Sequence, residues 1–230
     1  MTGDDEQTMD LIHSAAPRPV ATNWLAIKRV VDLSMATLLA IICLPAFGLA
    51  TLATYLALGR PLFFMQERAG LAGATFRILK FRTMTDARDA KGELLPDALR
   101  QTSVTVFLRR IRVDELPQLL AIAVGDMSFV GPRPLPPEAI YAFGSLAVER
   151  CTVRPGLTGW AQVNGNTLLT PAQKLALDIW YVDHRSFLLD LRILLMTVRT
   201  ILTGEKVNNV HLRKAQMHLW HRGYAVAVDM

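Results

Sequence analysis

Asp114 and Glu115 are adjacent carboxylates, preceded closely by Arg109, Arg110 and Arg112. One reading needs no chemistry: acidic residues at the start of a helix cap it and complement its macrodipole. The other makes one carboxylate a nucleophile and gives the second a part in metal binding or proton transfer. Nearby guanidinium groups and a helix N-terminus would then keep the nucleophile ionised and stabilise the phosphoryl group it attacks. Other reactive frameworks are missing. The sequence has no GxxxxGK[ST] loop, GxGxxG turn, GxSxG elbow or zinc-type Cys/His cluster. It also lacks the Asp-x-Asp with which many nucleotide-sugar enzymes hold a metal.

The distribution of charge narrows the partner. The 230 residues carry 25 basic and 20 acidic side chains, and 19 of the bases are arginine. Arginine suits bidentate recognition of phosphate, although a GC-rich genome also inflates it. Eleven arginines fall between Arg68 and Arg154, around the carboxylate pair. The first ten residues hold Asp4, Asp5, Glu6 and Asp10 without a base, so the remainder has a net charge of +9. A basic body fits a phosphorylated substrate, an anionic membrane face or nucleic acid. No nucleic-acid motif is recognisable, and no nucleic acid is expected as a partner. Cys43 and Cys151 make no disulfide framework.

The elements that must position these residues begin with a membrane segment. Residues 33–59 form a run of 27 residues without a charge, flanked by Lys28, Arg29 and Asp32 before and Arg60 after. As a helix it would be roughly 40 Å long, against a hydrocarbon core of about 30 Å. A buried core helix and a kinked span are alternatives. Basic flanks on both sides favour a re-entrant hairpin lying in the lipid bilayer, with two arms of about 13 residues bent at Pro45. Residues 61–66 and 75–81 read as a β-hairpin, and 83–102 as a polar loop with a helical turn or two. A helix is expected from Asp114 to Val124, then a stiff extended Gly131-Pro132-Arg133-Pro134-Leu135-Pro136-Pro137. Helices are expected over 170–182 and 187–203. On the latter Leu188, Leu191, Leu195, Val198 and Leu202 form a stripe suited to the membrane plane or to a protein core.

The fold class is therefore α+β and mostly helical: an N-terminal re-entrant helix, a small polar domain with a β-hairpin, and amphipathic interface helices. The divisions are an acidic extension 1–24, the membrane helix-hairpin 25–59, a polar domain 60–205 that holds the carboxylate pair, and a C-terminal tail 206–230.

Five ordered motifs carry a family resemblance. They are Lys28-Arg29-x-x-Asp32; Lys80-Phe81-Arg82-Thr83-Met84; Asp114-Glu115-Leu116-Pro117-Gln118; Gly125-Asp126-Met127-Ser128-Phe129-Val130-Gly131-Pro132-Arg133-Pro134; and Arg154-Pro155-Gly156-Leu157-Thr158-Gly159-Trp160-Ala161-Gln162-Val163-Asn164-Gly165. Asp178 and Tyr181-Val182 extend the pattern. With them the chain resembles the bacterial polyprenyl-phosphate sugar-1-phosphate transferases. Its compact length and the stretch from Gly92 to Arg100 look most like the small enzyme that initiates bacterial N-linked glycan assembly.

The resemblance implies a monotopic phosphoglycosyl transferase of the bacterial inner membrane, with its catalytic domain on the cytoplasmic face. The implied reaction moves sugar-1-phosphate from a UDP-sugar to undecaprenyl phosphate and releases UMP, through a covalent phosphosugar intermediate with Mg²⁺. By position Asp114 is the nucleophile, and Glu115 its partner in metal binding or proton transfer; both are candidate Mg²⁺ ligands. Arg82, Arg109, Arg133, Arg150 and Arg154 are the candidate phosphate ligands. Arg133 is the best aimed of these, because prolines on both sides limit its backbone. The chain departs from the family at Asn166, where an arginine is usual, at Ala121 and Val124 for Asn and Lys, and at Thr105 for Gly. The competing reading is a catalytically inactive membrane scaffold for polysaccharide assembly. Retention of the carboxylate pair counts against it. Neither the sugar, N-acetylated or plain hexose, nor the oligomeric state is written in these motifs.

Overall fold

A computed structural model describes residues 22–224 of the chain. The acidic residues Asp4, Asp5, Glu6 and Asp10 lie outside the described residues. Helix α1 (Thr22–Ile42) and helix α2 (Leu44–Leu58) meet at a bend of 62°. Pro45 is in the first turn of α2, where it has no N–H to donate and its ring displaces the carbonyl four residues earlier. The last backbone bond of α1 runs from Cys43 N–H to the Leu39 carbonyl, and Phe47 N–H bonds Cys43 to begin α2. The arms are thus 21 and 15 residues long and bent at 62°, rather than two matched arms of about 13 folded back on each other. The first arm is longer because its N-terminal turns belong to the rest of the protein. Lys28 Nζ pairs with Asp190 at 2.6 Å, the Arg29 guanidinium donates to the Ile122 and Ala123 carbonyls, and Asp32 accepts from Phe129 N–H. The Lys-Arg-x-x-Asp motif is a docking motif. Beyond it Leu38, Ile41, Leu49, Leu52 and Leu56 are exposed. Among the described residues no single helix is long and apolar enough to cross a membrane.

Strands β1 (Phe63–Ala69) and β2 (Thr75–Phe81) form the expected antiparallel hairpin, with Phe63 opposite Phe81 and Ala69 opposite Thr75. Phe47 of α2 packs on Phe63 and Phe81, with ring centroids 5.0–6.1 Å apart, which fixes the hairpin to the bent helix pair. The polar loop ends at helix α3 (Ser103–Arg110), which the sequence did not reveal. Its capping box joins Thr102 to Thr105 instead of to the usual Glu or Gln, so the signature is hidden. This also accounts for Thr105 in place of Gly: its buried hydroxyl bonds the Thr102 backbone.

The helix expected over 114–124 is two pieces, a 3₁₀ turn (Val113–Gln118) and helix α4 (Leu119–Val124). Pro117 has no N–H with which to make an α-helical backbone bond, and the tighter 3₁₀ winding precedes the α-helix. Strand β3 (Ser128–Val130) pairs in parallel with β4 (Gly156–Thr158), joining two distant motifs. A Cβ at Gly156 would lie 2.1 Å from the Gly131 nitrogen, so this crossing requires glycine.

Short helix α5 (Pro137–Tyr141) packs against β1, while α6 (Ser145–Arg150) and α7 (Trp160–Val163) pack against the helix that begins at Pro171. Helices α8 (Pro171–His184) and α9 (Phe187–Thr203) match the expected pair. Leu189 and Ile193 of α9 face the core, whereas the stripe from Leu188 to Leu202 is exposed, at 77% and 79% for its two ends. Residues 206–230, read as a tail, contain helix α10 (Asn209–His221), whose Leu212, Ala215 and Leu219 are in the main core with Ile122, Met127, Trp160 and Leu177.

Candidate active site

The 3₁₀ turn holds Asp114 and Glu115 at the junction of α3 and α4, beside β2. Arg112 opens the turn in a left-handed conformation, φ 60° and ψ 18°, which reverses the chain as it leaves α3. Glu115 is 8% exposed and surrounded by cations. Lys80 Nζ from β2 lies 2.8 Å from its Oε1, Arg133 Nη2 3.1 Å from the same oxygen, and Arg112 Nη1 3.8 Å from Oε2. Burial alone would raise this carboxyl, but Arg133, Lys80 and Arg112 pull it down to about 2. Lys80 is lowered, chiefly by burial, with Glu115 opposing.

Asp114 behaves differently although it is the next residue. Burial raises its carboxyl and the charge of Glu115 adds to this, while Lys80, Arg109 and Arg112 oppose. Its Oδ1 is buried without a hydrogen-bond partner. A buried carboxylate oxygen left unpaired is costly unless a ligand completes it. The two neighbours are thus sorted: Glu115 is a locked anion, and Asp114 carries an oxygen free to react or to coordinate.

The arginines singled out by sequence separate into two groups. Arg133 contacts Glu115 directly and Arg109 acts on Asp114 through its field. Arg82 is occupied by the Met84 and Arg60 carbonyls and by Asp86. Arg150 is buried against Asp178 at 2.9 Å and donates to the Arg133 carbonyl at 2.6 Å, so it supports the loop that carries Arg133. Arg154 donates to the Gly125 carbonyl and lines a separate cavity of about 390 Å³ with Trp24, Lys28 and Tyr181, which contains neither Asp114 nor Glu115.

Lys80, Arg112, Arg68 and Gln118 join the site although none was among the candidate phosphate ligands. The signal for Lys80 was its place in the alternation Phe76, Ile78, Lys80, a charge on the inward face of a strand. Arg68 and Gln118 line a polar recess with Lys80 and Arg133, and Arg68 Nε is buried there without a partner. Three cations on one recess, with Glu115 as their neighbouring anion, suit a phosphorylated ligand. Of the departures, Ala121 is buried and uses its carbonyl to close α4, and Val124 is exposed. Asn166 bonds Glu205 through its amide.

Asp114, with its unpaired oxygen, adjoins Glu115, whose partners Lys80 and Arg133 also line the recess. The model for the bacterial sugar transferase family matches residues 23–204. The chain is 45% identical over 188 residues to an uncharacterized sugar transferase, EpsL, of Bacillus subtilis, covering 81% of this chain and 93% of that one. It is 42% identical over 190 residues to a UDP-glucose:undecaprenyl-phosphate glucose-1-phosphate transferase of Caulobacter vibrioides, covering 77% and 70%. A UDP-N-acetylgalactosamine-undecaprenyl-phosphate N-acetylgalactosaminephosphotransferase of Aeromonas hydrophila is 36% identical over 203 residues, covering 83% of this chain and 46% of that one. The chain belongs to the bacterial sugar transferase family, the polyprenyl-phosphate sugar-1-phosphate transferases, and is an enzyme.

Proposed function

We propose that this enzyme transfers sugar-1-phosphate from a UDP-sugar to undecaprenyl phosphate and releases UMP, the first step in building a membrane-linked glycan. The observation that carries this reading is the unpaired buried oxygen of Asp114 beside a Glu115 fixed by Lys80 and Arg133. The Asp114 carboxylate attacks the phosphorus that bears the sugar. The bond from that phosphorus to the bridging oxygen breaks, and UMP leaves with the electron pair. A phosphate oxygen of undecaprenyl phosphate then attacks the same phosphorus, the acyl-phosphate bond breaks, and the Asp114 carboxylate is restored. Asp114 is the nucleophile of the first displacement and the leaving group of the second, and both occur at the same phosphorus.

The residues fit Mg²⁺. Asp114 Oδ1 has no protein partner, and Glu115 Oε2 meets Arg112 only at 3.8 Å, beyond hydrogen-bond range. One or two carboxylates completed by substrate phosphates and water is the usual setting for this ion. When bound it would neutralise charge on the diphosphate as the bridge breaks. A Glu115 carboxyl held at about 2 is a poor proton acceptor near neutrality, which favours an anchoring part over a general-base part. Arg68, Lys80 and Arg133 are the side chains best set to receive the donor's phosphates.

The bent apolar pair α1–α2, with basic residues at both ends, and the exposed stripe of α9 support a re-entrant seat in the cytoplasmic leaflet of the inner membrane. The names of the relatives include both a glucose and an N-acetylgalactosamine donor, so both sugars belong in the assay.

Purified enzyme in detergent, given Mg²⁺, undecaprenyl phosphate and a panel of UDP-sugars, should release UMP from at least one. A single turnover without acceptor should add the mass of one phosphosugar to the protein, and Asp114→Asn should abolish both signals. Silence across the panel, or full turnover by Asp114→Asn, would reject the proposal.

A further inference from the structure

Three non-glycine residues among those described have positive φ: Ala72, Arg112 and Asn166. Two of them converge on one carboxylate. Glu205 follows Gly204, which closes α9, and it accepts from the Asn166 amide, the Thr167 hydroxyl and, at 3.1 Å, the Thr167 backbone N–H. On its other side Oε1 lies 3.6 Å from Arg112 Nη2. The second terminal nitrogen of Arg112 faces Glu115 Oε2 at 3.8 Å. One guanidinium is therefore shared between the catalytic carboxylate pair and a carboxylate from the end of α9.

A left-handed conformation costs a non-glycine residue roughly 1–2 kcal/mol and persists where the surroundings hold it. The Arg112 side chain is 39% exposed, so its own burial does not hold it. Glu205 supplies a fixed counter-charge, and three bonds from the Asn166–Thr167 loop fix Glu205 in turn. Neither carboxylate is close enough to Arg112 for a hydrogen bond, which leaves the guanidinium N–H groups able to turn toward an incoming phosphate.

We propose that Glu205 is a positioning residue for the transfer reaction: it holds Arg112 beside Asp114 and Glu115, ready for the donor's diphosphate. This rests on the function proposed above. Without Glu205, Arg112 collapses onto Glu115 or swings into solvent, and one cation is missing when the bridging bond breaks. Asn166 is uncharged, so it holds Glu205 without neutralising it. With no cation at 166, the Glu205 carboxylate is left to Arg112.

Two measurements test this, and one of them does not depend on turnover. In Glu205→Gln, hydrogen–deuterium exchange of the peptide covering residues 110–118 should quicken at least tenfold, while the melting temperature stays within about 2 °C. Glu205→Asp should restore most of the protection. Unchanged exchange overturns the proposal whether or not the enzyme turns over. For the reaction, Glu205→Gln should lower kcat about tenfold with a smaller change in the KM for UDP-sugar. In an Arg112→Gln background it should add no further loss, because its effect passes through Arg112. Losses that multiply across the two substitutions would give Glu205 an independent role and overturn the proposal. If the unsubstituted enzyme releases no UMP, the function proposed above fails, and the exchange result still decides the positioning of Arg112.

Discussion

The pair Arg150–Asp178 offers a quantitative test of how the site is held. The two side chains are 3% and 4% exposed and 2.9 Å apart, and Arg150 also donates to the Arg133 carbonyl at 2.6 Å. Asp178→Asn removes the carboxylate that pairs with Arg150 and leaves a buried guanidinium uncompensated. Breaking a buried pair in this way costs about 3–5 kcal/mol, whereas replacing both members by apolar residues of similar volume is often close to neutral. At about 2–4 °C per kcal/mol for a chain of this size, Asp178→Asn should melt roughly 6–20 °C below the parent. The double variant Arg150→Met with Asp178→Leu should recover most of that stability. It should not recover activity, because the Arg133 carbonyl has lost its donor and the loop that aims Arg133 at Glu115 is freed. Thermal unfolding in detergent, followed by circular dichroism and paired with UMP release, reads both quantities. A melting temperature for Asp178→Asn within about 3 °C of the parent would refute the reasoning. So would a double variant that keeps full turnover, since Arg133 would then need no support from Arg150.

Further outcomes follow from the same geometry. In the proposed reaction Asp114 must be ionised to attack, and its carboxyl is raised by burial and by Glu115, so kcat/KM should fall on the acid side above the ordinary carboxylate range. Arg109→Ala removes an opposing cation and should move that limb to higher pH; a limb that moves lower, or not at all, contradicts the assignment. Glu115 has the opposite sign: its carboxyl falls from 4.5 to about 2 on folding, so its contribution is full above pH 4.5 and is lost as pH falls toward 2. That contribution is roughly 3 kcal/mol, and urea midpoints measured between pH 6 and pH 2 should show Lys80→Met losing part of it. Gly156→Ala sets a Cβ 2.1 Å from the Gly131 nitrogen and should yield little folded protein, judged by monodisperse recovery from detergent. Pro45→Ala restores a backbone donor and should open the 62° bend, which cysteine accessibility at positions 20 and 62 would register as a changed pattern of labelling.

Local chemistry was legible because its causes are local. A 27-residue uncharged run with one proline announced a bent apolar pair, and alternating residues across two glycines announced the hairpin. Amphipathic spacing gave α8 and α9 almost to the residue. The adjacent carboxylates were visible as a pair, but not as unequal partners. Helix α3 escaped because Thr105 stands in its capping box, and the α-helix expected from Asp114 gave way to a 3₁₀ turn at Pro117. Helix α10 had no motif to mark it, although Leu212, Ala215 and Leu219 complete the core.

What the sequence determined by itself was the inventory: the adjacent carboxylates Asp114 and Glu115, an excess of arginine, and a 27-residue run without a charge. Which charges meet was decided by tertiary structure. Arg133 and Arg150 are both flanked by suggestive residues, yet one faces Glu115 and the other lies buried against Asp178. Lys80 and Glu205, far apart along the chain, reach the two sides of a single turn. Electrostatic coupling falls off over a few ångströms and depends on burial, and neither distance nor burial is set by separation along the sequence. Burial and unequal pairing are what leave Asp114 with a free oxygen while fixing Glu115 as an anion.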